Sequence, residues 1–170
     1  DNLPLILKEG RRSINNIERS SSLLLSKTIF TILLILVCIF MSTEYFFIPI
    51  HLTLITMFTI GIPSFVLALE PNTELVKGNF LLKVFLKSIP SAVTVVFNVI
   101  IINLFEINFN LSPELCSTLT VFLTATTGFI FLNNICKPYN YLRGALMIFL
   151  TLAFSYCAIF QNSFFNIGLV

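Results

Sequence analysis

Apolar residues fall along this chain in five blocks, separated by short polar stretches. Each block is close to the ~20 residues a helix needs to cross a bilayer. The blocks occupy 22–41, 49–69, 80–105, 115–135 and 144–160, and 161–170 begins another. This order predicts an all-α, polytopic helical membrane bundle of five spanning helices plus the start of a sixth. Residues 1–21 are polar and helix-prone, with Ile14 and Ile17 at helical spacing. Neither Pro nor Gly interrupts Arg11 to Met41. A stalk helix outside the membrane is therefore expected to run without a break into the first span, as a rod of roughly 45 Å.

The second block, 49–69, carries Gly61-Ile62-Pro63 at its middle. Pro removes a backbone donor and crowds the carbonyl four residues back, and Gly eases bending. A break at that depth frees carbonyls, which lipid tolerates only beside protein or a wet cavity. Thr56, Thr59 and Ser64 flank the break with hydroxyl oxygens. A membrane helix built this way can hold a cation partway across. Two plainer readings stand beside it: a simple bend, and Thr side chains bonding their own helical turn. Lys27 lies one to two turns inside the first span, where its ammonium either snorkels to the interface or serves the transport path. Residues 80–87, with Lys83 and Lys87 one turn apart, read as an interfacial lead-in to the third span. Asn98 sits mid-span, where it can make a helix–helix contact, and the fourth block holds Thr118, Thr120, Thr124, Thr126 and Thr127 before Gly128; so many hydroxyls suit close helix packing first and ion coordination second.

Composition agrees with a membrane protein: 56% of residues are hydrophobic, 11% are charged, and mean hydropathy is +0.96. Soluble domains carry about 25% charged residues. The placement of charge says more than its net value of +2. All ten Lys and Arg lie in the N-terminal tail, the first helical turns, the 70–90 region and the 137–143 loop, which are alternate ends of successive spans. This is a positive-inside pattern and puts the N-terminal end of a multi-pass protein in the cytoplasm; the cell (plasma) membrane is its expected location. Cys38, Cys116, Cys136 and Cys157 show no metal-ligand spacing and read as small apolar filler. His51, the only histidine, opens a span at the external side. The first twenty residues are not a signal-peptide core. The chain opens at Asp1 without a Met and stops in an apolar run at Val170, so a piece of something longer is expected. There is no phosphate-binding loop, no GxSxG, no HExxH and no nucleic-acid signature.

Two stretches carry a family resemblance. Glu9-Gly10-Arg11-Arg12-Ser13-Ile14-Asn15-Asn16-Ile17, followed by a membrane helix, resembles the junction in P-type cation ATPases where the phosphorylation domain runs into the fifth membrane helix. Pro49-Ile50-His51-Leu52, Thr59-Ile60-Gly61-Ile62-Pro63 and Leu69-Glu70-Pro71-Asn72 are similar to the sixth helix of calcium-pump-like members. The two matches agree in spacing and cover about the first 80 residues. The resemblance implies the C-terminal membrane region of a bacterial cation pump, from the fifth helix onward.

On that resemblance, the fifth-helix site positions fall on Lys27, Thr28 and Thr31, and the sixth-helix positions on Thr56, Thr59 and Ile60, beside Gly61, Pro63 and Ser64. Thr56 and Thr59 are the implied metal contacts. The calcium-pump acid before Gly61 is replaced by Ile60, and the fifth-helix Asn and Glu by Thr28 and Thr31. Lys27 aligns with a Ser in calcium pumps and with a Lys in the gastric proton pump, where it acts as a built-in cation. A divalent ion held by hydroxyls and carbonyls beside an ammonium is electrostatically poor. Either a missing fourth helix supplies an acid, or Lys27 deprotonates or swings aside. The resemblance further implies ATP and Mg²⁺ in the full-length protein, upstream cytoplasmic ATPase domains as partners, no catalytic residue and no bound cofactor within this segment, and Ca²⁺ or another metal cation as cargo. The alternative is a stand-alone small cation carrier or channel without ATP coupling; a membrane scaffold or lipid-handling enzyme is a third reading.

Overall fold

The computed structural model describes residues 3–41, 46–70, 72, 75, 78–160, 165 and 167. The expected start of a sixth helix at 161–170, the Ser42–Tyr45 part of the first loop, and Lys77 lie outside the described residues apart from Phe165 and Ile167. The described residues form an all-helical bundle without strands, and five of its helices are long and apolar enough to span a membrane. The chain is thus a multi-pass membrane protein. We label the helices α1 (Leu3–Met41), α2 (Pro49–Leu69), α3 (Phe80–Phe109), α4 (Pro113–Ile135) and α5 (Tyr141–Phe160).

α1 is one continuous helix of 39 residues. At 1.5 Å per residue it rises roughly 58 Å, well beyond the ~30 Å of a hydrocarbon core. α2 begins with Pro49 in its first turn, where a missing N–H costs nothing. At the Gly-x-Pro it does not unwind. Met57–Gly61 form a π-helical turn, and the N–H of Ile62 donates to the carbonyl of Met57, five residues back. One wider turn makes room for the ring of Pro63 against the preceding carbonyls, so the helix continues to Leu69. The predicted break is therefore a bulge.

Asn79 caps α3, its Oδ1 accepting from the Leu81 N–H at 3.1 Å, and Ser112 caps α4. Asn110 ends α3 in the left-handed region (φ 49°), as helix C-terminal residues often do. α3 packs along α1, and α4 along α3. The π turn of α2 sits between α1, α4 and α5. The core around it contains Leu23, Leu34, Leu54, Val99, Val121 and Leu132. Phe154 of α5 lies edge-on to Phe58, Phe122 and Phe129, with ring centroids 5.5–6.1 Å apart. Phe40, Phe65, Phe97 and Phe149 stay exposed on outer faces, as suits contact with lipid tails.

Candidate functional site

The π turn borders a small cavity between the helices of the bundle. α1 contributes Ser26 and Lys27, α2 contributes Thr56, Thr59 and Ile60, α3 contributes Ser91, and α4 contributes Thr124 and Gly128. Its volume is about 20 Å³, room for a single water-sized guest. Thr59 is 2% exposed, and its hydroxyl donates to the carbonyl of Ile55 at 2.8 Å. α4 approaches the turn closely at Gly128. A Cβ placed there would lie 2.9 Å from Thr59 Cγ2 and 3.1 Å from Thr59 Cβ, so only Gly fits without displacement.

Thr124 stands apart from the other threonines of α4. Thr118, Thr120, Thr126 and Thr127 each donate to the carbonyl four residues back. The hydroxyl of Thr124 is buried, lines the cavity and has no partner among the described residues. A buried hydroxyl without a partner is costly, so this oxygen is free to accept from or ligate a guest. Among the described residues no carboxylate lines the cavity. Lys27 forms no ion pair among the described residues. The cavity thus offers hydroxyl oxygens and one ammonium.

The structure brings Lys27, Thr56, Thr59 and Ile60 together on this cavity. The other residues singled out from sequence lie elsewhere. Thr28 is exposed on α1 and bonds the Leu24 carbonyl, while Thr31 is half-buried one turn further on, outside the lining. Gly61 is exposed, Pro63 is buried, and Ser64 has a buried hydroxyl without a partner; none of the three lines the cavity. Sequence reasoning named Thr124 only as one of five fourth-block threonines, for packing first and ion coordination second, and did not single out Ser91. Asn98 of α3 reaches across to Thr127 of α4 at 3.3 Å, a helix–helix contact.

At one end of the bundle the polar segments interlock. Glu70, 5% exposed, lies between Arg19 of α1 (3.4 Å) and Arg143 of α5 (2.8 Å), and Asn140 also donates to it. Asn16 donates to the carbonyls of Ala68 and Glu70, Arg12 to that of Leu69, and Asn15 to that of Asn72. Side chains of α1 therefore satisfy the open carbonyls at the end of α2, and two Arg complement its negative dipole end. Two further cations, Lys83 and Lys87 of α3, share Glu18 of α1. Cys136 is fully buried beside this network. Burial pushes its thiol pKa up, Arg143 and Arg19 pull it back, and Glu70 adds to the rise. In the folded protein Cys136 is expected to resist maleimide between pH 7 and 8, where the thiolate is scarcer than in a free cysteine; mass spectrometry of labelled protein tests this, and fast labelling of native Cys136 would contradict it.

No family model matches this chain, and no solved structure matches it. Curated proteins do. The chain is 36% identical over 170 residues to a Streptococcus pneumoniae protein named "Probable cation-transporting ATPase exp7", covering 95% of this chain and 22% of that protein. It is 46% identical over 103 residues to the calcium-transporting ATPase CtpE of Mycolicibacterium smegmatis, covering 55% of this chain and 13% of that protein. It is 32% identical over 160 residues to CtpE of Mycobacterium tuberculosis, covering 86% of this chain and 20% of that protein. The chain spans about a fifth of the length of the S. pneumoniae and M. tuberculosis relatives. The homologues of this chain are thus cation-transporting P-type ATPases, and its five membrane-length helices are consistent with a segment of their membrane region.

Proposed function

We propose that this segment is the membrane part, from the fifth helix onward, of a pump that couples ATP hydrolysis to transport of a metal cation, with Ca²⁺ the first candidate. The observation that carries this reading is the match over 95% of the chain to a cation-transporting ATPase. ATP, Mg²⁺ and the phosphorylated Asp belong to cytoplasmic domains preceding α1. The first 21 residues are the stalk, and the spans follow in the order read from the sequence. Arg19 of the stalk, Lys83, Lys87 and Arg143 meet at one end of the bundle through Glu18 and Glu70. That end faces the cytoplasm by the positive-inside rule, in the plasma membrane.

The mechanism follows from stiffness and attachment. α1 is unbroken from Leu3 to Met41, so motion of a domain at its outer end reaches the membrane as a displacement of the whole rod. Arg12, Asn15 and Asn16 hold the far end of α2, so the same motion shifts α2 with it. The π turn is the compliant point between these attachments and the cavity. There Thr56, Thr59 and Thr124 supply hydroxyl oxygens. Lys27 supplies a positive charge that opposes a metal ion until it moves aside, loses its proton, or meets a carboxylate from another helix of the pump.

In proteoliposomes of the intact pump, Lys27→Ala and Thr59→Ala are each expected to shift the Ca²⁺ concentration for half-maximal ATPase activity about tenfold, on the order of 1.4 kcal/mol of site energy. Unchanged ion dependence in both variants would remove the cavity from the transport path. Absence of cation-stimulated ATPase activity in the wild type would remove the pump itself.

A further inference from the structure

A second, larger cavity of about 620 Å³ opens between α3 and α4, with α1 as its floor. Its walls divide by chemistry. Toward the membrane interior stand Pro90 and Ile130, the latter 59% exposed on the outer face of α4, so the cavity is open sideways to lipid. At the end that carries the ion-pair network stand Lys87 and Lys137. The charges there do not cancel. Lys83 and Lys87 share the single carboxylate of Glu18, at 3.8 and 2.5 Å. Arg19 and Arg143 share Glu70. Lys137 holds only the amide oxygen of Asn134, at 3.2 Å, and faces no carboxylate among the described residues. Among the described residues, five cations thus meet two carboxylates around the mouth of a cavity whose other wall is apolar.

We propose that this cavity is a binding site for an anionic phospholipid, with the phosphodiester between Lys87 and Lys137 and an acyl chain along Pro90 and Ile130. A soluble anion would satisfy the lysines but leave the apolar wall unused; a zwitterionic lipid would bring a second cation into a region already positive. Basic pockets between membrane helices at the cytoplasmic face hold anionic headgroups by this combination. The placement in the inner leaflet rests on the cytoplasmic orientation proposed above. The site ties α1, α3 and α4 together, so its occupancy should stiffen the segment that carries stalk motion.

The test uses the intact pump, released from mixed phosphatidylcholine and phosphatidylglycerol membranes and examined by native mass spectrometry. Wild-type protein should retain phosphatidylglycerol in preference to phosphatidylcholine. Each lysine near a membrane surface is worth about fivefold in affinity, so Lys87→Gln with Lys137→Gln should weaken retention roughly thirtyfold. Lys83 remains to neutralise Glu18 in that variant. Ile130→Trp, on a lipid-facing position, should block the cavity with all charges intact and reduce retention as well. Equal phosphatidylglycerol retention in all three proteins would overturn the proposal. Labelling of Lys137→Cys by a membrane-impermeant maleimide in intact cells separates the two readings: protection of Cys at that position keeps the orientation even if the lipid site fails, and labelling discards the orientation while retention alone judges the lipid site.

Discussion

Glu70→Gln is expected to destabilise the folded bundle by about 3–5 kcal/mol, the usual cost of removing one partner from a buried ion pair. The side chain of Glu70 is 4% exposed, and those of Arg19 and Arg143 are 9% and 7% exposed. Without the carboxylate, two largely buried guanidiniums lose their shared counter-charge, and arginine cannot lose its proton to escape the cost. Gln preserves size and can still accept a hydrogen bond, so the loss isolates charge from packing. Thermal unfolding in detergent should show a lower transition, and Cys136 beside the network should become reactive. Adding Arg19→Met should recover part of the loss, because one uncompensated charge is gone. Strict additivity of the two substitutions would show that Arg19 and Glu70 do not act as a pair.

The second large effect is expected at the point of closest helix approach. Gly128→Ala sets a methyl 2.9 Å from Thr59 Cγ2. Thr59 is β-branched and buried, and its hydroxyl is committed to Ile55, so it cannot swing away without losing that bond. Either α4 moves out or the π turn shifts, at about 1–3 kcal/mol for an overpacked core. Because this turn borders the cavity with Lys27, we expect cation-stimulated ATPase activity of the intact pump to fall on the order of tenfold or more, by the same energy scale. Thr59→Ser removes the clashing methyl and keeps the hydroxyl, so the double variant should regain activity. A double variant as impaired as Gly128→Ala alone would place the defect elsewhere.

How much of this could be read from the residues differs sharply between elements. The five spans are written in hydropathy, because a helix in lipid must be apolar along its whole length and must satisfy its backbone internally. The unbroken α1 follows from the lack of Pro and Gly between Arg11 and Met41. The irregularity at Gly61 and Pro63 was also visible, since an imino nitrogen cannot donate. Its form was not: whether the chain unwinds or widens by one residue depends on what packs around it, here α1, α4 and α5.

The polar contacts were decided by tertiary structure. The sequence shows five threonines in α4 but not which hydroxyl is left over. Four bond their own helix, and Thr124 faces the cavity with Lys27 and Thr59 because α4 is pressed against the π turn at Gly128. Thr28, one residue from Lys27, turns outward because adjacent helical residues point about 100° apart. Asn15, Asn16 and Glu70 were visible as motif residues; that they meet, with Asn16 closing the end of α2 and Glu70 holding Arg19 and Arg143, comes from the crossing of α1, α2 and α5. By itself the sequence determined which segments leave water and where the positive charges gather, because those depend on each segment's own transfer energy. Only the bundle decided which polar groups share a cavity, because that depends on side chains far apart in the sequence being packed close together.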